Sequence, residues 1–258
     1  MSQDFSFHVI IPARYASKRL PAKVLLPIAG KSMLQHVYER AKESGAKSVT
    51  IATDNNQILD TVIEFGGKAI MTAEAHPSGT ARIAEAIEKM QLSNAEIIVN
   101  VQGDEPLIPP SLIKQAALTL AQEPEANMAT FCEPIICPDD LTNPNIVKVV
   151  RDKKNYALYF SRSVIPWQQT KPILDSTISP LHFLRHIGLY AYTAGFIRQY
   201  VKWSPCLLEQ LESLEQLRAL WYGAKILVTT APENTVSIGV DTEADLIKVT
   251  ALMQKIWK

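Results

Sequence analysis

Four cations stand close together in Pro12-Ala13-Arg14-Tyr15-Ala16-Ser17-Lys18-Arg19-Leu20-Pro21-Ala22-Lys23. They repel one another unless an anion joins them, and a polyphosphate suits their charge-assisted hydrogen bonds. A basic run alone is ordinarily a solvated loop; its place directly after an apolar run ending at Pro12 favours the anion. No GxxxxGK[ST] occurs in the chain, and this loop has no glycine before Gly30. These absences argue against P-loop kinase and dinucleotide-dehydrogenase chemistry.

A second chemistry lies in Val99-Asn100-Val101-Gln102-Gly103-Asp104-Glu105-Pro106 and in Gly239-Val240-Asp241-Thr242. Each places an aspartate just past an apolar run. Such carboxylates suit Mg²⁺, which takes one or two of them plus substrate phosphates. Each could equally be a turn residue, or, for Asp241, a helix cap. His76-Pro77-Ser78-Gly79-Thr80-Ala81-Arg82 can offer backbone amides and hydroxyls at a helix start, with Arg82 one turn further on. A last polar group comprises Arg162, Arg185, His186, Tyr190, Glu215 and Gln216. Two arginines and a histidine on a small sheet would suit an acidic, hydroxyl-rich ligand. Glu212, Glu215, Gln216 and Arg218 lie opposite a leucine stripe, ordinarily a solvated helix face.

The elements that must position these residues alternate. Apolar runs at 7–11, 48–52, 69–71 and 97–101 read as buried strands, the first ended by Pro12. Helices are expected over 33–44, over 55–65 (with Ile58, Leu59, Val62 and Ile63 inside), over 80–90 and over 111–120. This is an α/β pattern with a mostly parallel central sheet, helices on both faces and ligands beyond the carboxyl ends of the strands. Residues 147–151 and 156–161 read as a hairpin, 187–192 and 225–229 as strands, 208–222 as one strong helix and 243–256 as a terminal helix. Residues 166–182 read as an excursion. The expected organisation is one unit over 1–258 with a β-rich insertion at about 130–190.

Composition fits such a unit. The 258 residues are 47% hydrophobic and 20% charged, with 26 basic and 26 acidic side chains and no net charge, which argues against disorder and a nucleic-acid coat. The balance hides a local asymmetry, with five cations against one acid in residues 1–31 and eight acids against one cation in 96–141. The basic residues gather in one loop rather than along a stripe with aromatics, so no nucleic-acid role is expected. Three cysteines without CxxC spacing suggest free thiols. The amino terminus resembles neither a signal peptide nor a membrane span, and a cytoplasmic protein is expected.

Nine motifs in register, IIPARYASKRLPAK, ATDN, HPSGTAR, NVQGDEP, NPNIVKVV, YALYFSR, RHIGLYAY, LESLEQLRALWYG and GVDTEADL, resemble the family of 3-deoxy-manno-octulosonate cytidylyltransferases. The resemblance runs from about Phe7 to the terminal helix. It implies a Rossmann-like nucleotidyltransferase fold with a dimerising β-rich part, hence a homodimer. It also implies transfer of CMP from CTP to the acid sugar Kdo with Mg²⁺, releasing pyrophosphate and serving lipopolysaccharide assembly. Arg14 and Lys23 are then expected on the triphosphate and Asp104 and Asp241 on the metal, as the catalytic set. Ala52, Thr53, Asp54, Ser78, Gly79, Thr80 and Gln102 are expected around the nucleotide, and Arg82, Arg162, Arg185, His186, Tyr190, Glu215 and Gln216 around the sugar. The alternatives are a related acid sugar (8-amino-Kdo or sialic acid) and a nucleotide-sugar-dependent glycosyltransferase, although the DxD motif of the latter is replaced here by Gly-Asp-Glu-Pro. The tract 168–181 matches nothing in the family and is assigned no role.

Overall fold

In the computed structural model of the chain, residues 5–16, 20–169, 183–233, 235 and 238–256 are described. Lys18 and Arg19 of the basic loop, and 170–181 of the unassigned tract, lie outside them.

The first half lays down β1 (Phe7–Ala13), a 3₁₀ turn (Lys23–Leu25), the short pair β2 (Pro27–Ile28) and β3 (Lys31–Ser32), and α1 (Met33–Glu43). Then come β4 (Ser48–Thr53), α2 (Asn56–Glu64), β5 (Ala69–Met71), α3 (Gly79–Lys89), β6 (Ile97–Asn100) and α4 (Pro110–Gln122). Side-chain oxygens of Ser32, Asn55 and Ser78 cap the first amides of α1, α2 and α3. Pro110 opens α4, where its missing N–H costs nothing. Strand β1 runs through Pro12 rather than ending at it. Its pairing with β6 stops at Ile10, while Pro12 still pairs with Ala52 of β4, so the absent donor falls where one neighbour has already left. In α2 Ile58 and Val62 are buried but Ile63 is 61% exposed, contrary to expectation.

The second half adds β7 (Met128–Pro134), α5 (Pro138–Thr142), β8 (Lys148–Arg151), β9 (Ala157–Ser161), β10 (Leu184–Thr193) and α6 (Ala194–Tyr200). It ends with α7 (Leu207–Glu212), α8 (Gln216–Trp221), β11 (Ile226–Thr230) and α9 (Glu243–Ile256). The strands order as β11-β7-β10-β6-β1-β4-β5, with the β8–β9 hairpin carried on β10. Strands β6, β1, β4 and β5 are parallel, as expected. Strand β10 runs antiparallel to β6, β7 and β8, making the whole sheet mixed. Alternate residues of β1 enter opposite cores: Val9 and Ile11 join α1, α2 and α4, whereas Ile10 joins α3, α6 and α8. A third small core, with Ile28, Met33, Leu107, Val240, Val249 and Met253, docks α9 beside β2 and the start of α1.

The single helix expected over 208–222 is two helices broken at Ser213, whose φ is +52°. The break is held from outside. Arg162 donates to the backbone carbonyls of Glu212 and Ser213, and the Glu212 carboxylate accepts from Ser161 Oγ and Arg162 N–H. Hydrogen bonds from the β9 end thus replace those a continuing helix would have made. The expected stripe splits accordingly: Leu214 and Leu217 are buried, whereas Leu211 and Trp221 are exposed. The face expected to be solvated is not, since Gln216 and Glu209 are buried and Arg218 spans the break to Glu209 at 2.5 and 2.7 Å.

Candidate functional site

Two adjoining cavities open at the carboxyl ends of β1 and β6. The first, about 450 Å³, is lined by the end of β1, the 3₁₀ turn, the start of α3 and the Gln102–Asp104 turn. The second, about 310 Å³, lies between β6, β10, α6 and the α7–α8 break. Gly79, Gln102 and Glu215 line both, so the two form one cleft. Gly103 packs closely here: a Cβ on it would lie 3.3 Å from the Pro12 carbonyl and 3.4 Å from Val24, so either neighbour would have to give by a few tenths of an ångström.

In the first cavity Lys23 Nζ lies 2.5 Å from Asp104 Oδ2 and 3.1 Å from Asp241 Oδ1. Residues 137 positions apart in the chain meet here because α9 docks on the third core and Val240 N–H donates to the Asp104 carbonyl at 2.9 Å. Burial alone would lower the Lys23 pKa, but the two carboxylates raise it above its ordinary value, so the ammonium is firmly charged. Ala22, at φ +51°, aims this lysine into the cleft from a left-handed conformation that alanine rarely adopts. Arg14 stands exposed at the mouth. Ser78 Oγ caps α3, whose first amides and Gly79 face the same space. Arg82 lines it too but is buried, with its guanidinium 2.5 Å from both Asp54 and Thr72 Oγ1.

In the second cavity, alternate residues of β10 share one face: His186, Gly188, Tyr190 and Tyr192. The β10–β7 register shifts between Ile187 and Ala191, and Thr130 Oγ1 bonds the carbonyls of Ile187 and Leu189 there. That hydroxyl has one hydrogen, and where it goes to the nearer Leu189 carbonyl, at 2.8 Å, the 3.0 Å contact with His186 is donated by His186 Nε2–H. Nδ1 of His186 is then an acceptor. Burial pushes its pKa down to about 3, so the ring is neutral near pH 7 and is not the cation expected for an acidic ligand. The Tyr190 hydroxyl and Glu215 Oε2 are buried with no hydrogen-bond partner among the described residues, a donor and an acceptor on the walls of the cavity.

The cleft thus gathers Arg14, Lys23, Ser78, Gly79, Thr80, Arg82, Gln102, Asp104, His186, Tyr190, Glu215, Gln216 and Asp241. Five expected residues line neither cavity. Ala52 and Thr53 are fully buried between β1 and β5. Asp54 is engaged by Arg82. Arg162 binds carbonyls at the helix break, as described above. Arg185 alternates away from His186 along β10 and pairs with Glu133 at 2.5 Å. Asn100 is a lining residue the sequence reading missed. It is buried, and Gln102 Nε2 donates to its Oδ1 at 3.4 Å. Its signal was a polar side chain inside the apolar strand IIVN.

Among the described residues no group of three or more His, Cys, Asp or Glu could hold a metal. The Asp104–Asp241 pair nevertheless fits Mg²⁺, because hard carboxylate oxygens already converge on one cationic atom and a triphosphate would supply the remaining oxygens.

Two depressed pKa values give a pH expectation. Glu85 would be raised by burial, but hydrogen bonds from Lys89, the Ala73 amide and His76 bring it to about 2. On acidification the unfolded chain takes up protons at His186 from about pH 6.5 and at Glu85 from about pH 4.5, before the folded protein does. Stability should therefore fall as pH falls through these windows. Urea midpoints at pH 7.5, 5.5 and 4 check this, and a midpoint that rises on acidification contradicts it.

Residues 8–226 match the family model described as cytidylyltransferase. The chain is 54% identical to 3-deoxy-manno-octulosonate cytidylyltransferase 2 of Actinobacillus pleuropneumoniae serotype 5b, over 96% of this chain and 98% of that protein. It is also 54% identical to the 3-deoxy-manno-octulosonate cytidylyltransferase of Proteus mirabilis, over 97% and 98%. The solved structure of CMP:2-keto-3-deoxy-manno-octonic acid synthetase complexed with CTP superposes with a TM-score of 0.86 and 41% identity, covering 97% of this chain and 99% of that one. A cytidylyltransferase from Leptospira borgpetersenii shares the fold, at TM-score 0.62 and 16% identity. Among the described residues no helix is long and apolar enough to cross a membrane.

Proposed function

The chain belongs to the family of 3-deoxy-manno-octulosonate cytidylyltransferases, and we infer that it transfers the cytidylyl group of CTP to Kdo. CMP-Kdo and pyrophosphate are the products, and they serve lipopolysaccharide synthesis. The observation that carries the site reading is the joined cleft. A cavity bearing cations and carboxylates meets one lined by hydrogen-bonding groups, neutral His186 among them, at Gly79, Gln102 and Glu215.

In this reading the triphosphate lies in the first cavity. Arg14 and Lys23 bind its oxygens and offset the charge that develops as the bond to pyrophosphate breaks. The α3 amides and Ser78–Thr80 lie beside it, and with Ala52 and Thr53 buried, selection of cytosine rests on Ser78–Thr80 and Gln102. Kdo occupies the second cavity. His186 Nδ1 and the Glu215 carboxylate accept from its hydroxyls, while Tyr190 and Gln216 donate. Orienting the anomeric hydroxyl towards the α-phosphorus from the shared wall supplies the in-line approach. Asp104 and Asp241 would hold Mg²⁺, which when bound supplies Lewis-acid neutralisation of phosphate charge.

We take the chain as one unit, since β8 pairs directly with β10 and the hairpin continues the main sheet. The homodimer contact that the family resemblance implies is proposed for this β-rich part, where Ile136, Leu158 and Trp167 are exposed. A cytoplasmic enzyme is consistent with this reading.

Pyrophosphate release from CTP and Kdo with Mg²⁺ tests the function, and no release overturns it. In the same assay His186→Ala should raise the Michaelis constant for Kdo by about tenfold, the scale of a lost hydrogen bond in a closed site, and leave that for CTP nearly unchanged. The reverse pattern would remove His186 from the sugar cavity.

A further inference from the structure

Lys23 is in an odd position for a triphosphate ligand. Its ammonium points not at open space in the cleft but between the two carboxylates, with both oxygens within 3.1 Å of one nitrogen. Its side chain is 13% exposed, while those of Asp104 and Asp241 are 28% and 47% exposed, so the ammonium sits deeper than the pair it bridges. The ammonium thus occupies the space between the two carboxylates that would hold a divalent ion. A single ammonium and a divalent ion cannot share that gap, because like charges at such a distance repel strongly in a partly dry site.

We propose that Lys23 is a resident counter-ion that keeps divalent metal out of the Asp104–Asp241 pair until a triphosphate draws its ammonium away. This rests on the reading of the first cavity as a nucleotide–metal site and adds an order of events to it. In the nucleotide-free protein the ammonium holds the two carboxylates together, beside the Val240–Asp104 backbone bond that registers the segment leading into α9. A triphosphate offers the ammonium several anionic oxygens and brings its own metal. Lys23 would then transfer to phosphate, leaving Asp104 and Asp241 free to hold the ion. Nucleotide and metal binding are therefore positively coupled through one side chain. The left-handed Ala22 directly before it places the lysine at the pivot of a short turn, from which its long stem reaches either partner.

The probe is Mn²⁺ alone, titrated into nucleotide-free protein with electron paramagnetic resonance counting the free ion. Wild-type protein should bind it weakly. Lys23→Met, and Lys23→Gln as a variant that keeps a hydrogen-bond donor, should bind at least tenfold more tightly. Adding Asp104→Asn to either variant should abolish the gain. Should both lysine variants unfold, recovery of the circular dichroism spectrum on adding Mn²⁺ supports the proposal, and failure to recover overturns it. Equal Mn²⁺ affinity in folded wild type and variants also overturns it, as does a gain that survives Asp104→Asn. Wild-type pyrophosphate release is measured in parallel. If the enzyme turns over while the variants bind Mn²⁺ no more tightly, the counter-ion role alone fails. If it does not turn over, the functional reading fails.

Discussion

Asp104→Ala should lower turnover of CTP with Kdo by on the order of 10² or more, the loss typical of removing one electrostatic contact to a charged transition state. The expectation comes from what Asp104 does at once in the cleft. It is the nearer partner of Lys23, and its backbone carbonyl accepts from Val240 and so ties the α9 segment to the β6 turn. The substitution keeps that backbone bond and removes only the carboxylate. Fold and thermal midpoint should therefore change little while the chemistry suffers. The measurement is steady-state pyrophosphate release at saturating CTP, Kdo and Mg²⁺, beside a circular dichroism melt. Near-wild-type turnover would remove Asp104 from the reacting centre.

The largest effect on stability is expected at Arg218. Its guanidinium makes a two-pronged contact with Glu209, donates to the Trp203 carbonyl at 3.2 Å and lies 4.8 Å above the Tyr200 ring. Glu209 is 8% exposed. Arg218→Ala leaves its carboxylate in a place water hardly reaches, and breaking a buried pair from one side costs about 3–5 kcal/mol. For a protein of this size each kcal/mol lowers the melting temperature by roughly 2–4 °C, so a fall of roughly 6–20 °C is expected. A double variant with Glu209→Gln should recover much of it, because the orphaned charge is then gone. A single variant that melts with wild type would show that the pair contributes nothing. The pair joins α7 to α8 across the break that presents Glu215 and Gln216, so the Michaelis constant for Kdo should rise in Arg218→Ala as well.

The parts of this molecule that could be read along the chain are those set by neighbours in sequence. Continuous apolar runs located β1, β4 and β6, and period-3.6 patterns α1, α3 and α9, to within one or two residues, because a strand buried on both faces and a helix buried on one are marked by their own residues. Ser78 and Asn55 cap helices from where they stand. The basic loop after β1 and the Gly-Asp turn after β6 were legible as ligand positions for the same local reason, since a parallel strand sends its carboxyl end to one edge of the sheet.

What could not be read depended on partners far along the chain. The stretch 208–222 has helical periodicity throughout, yet Arg162 and Glu212 break it at Ser213 and bury Gln216. Arg185 and His186 are adjacent in sequence and face opposite sides of β10, so only one can reach the cleft. Residue types told which side chains can bind phosphate, metal or sugar hydroxyls. Only the docking of α9 on a third core put Asp241 on the same ammonium as Asp104. Only the surrounding β7 and β10 made His186 a neutral acceptor rather than a cation. Charge state and proximity are set by the dielectric and by the groups that fold brings near, and neither quantity is a property of a residue's place in the chain.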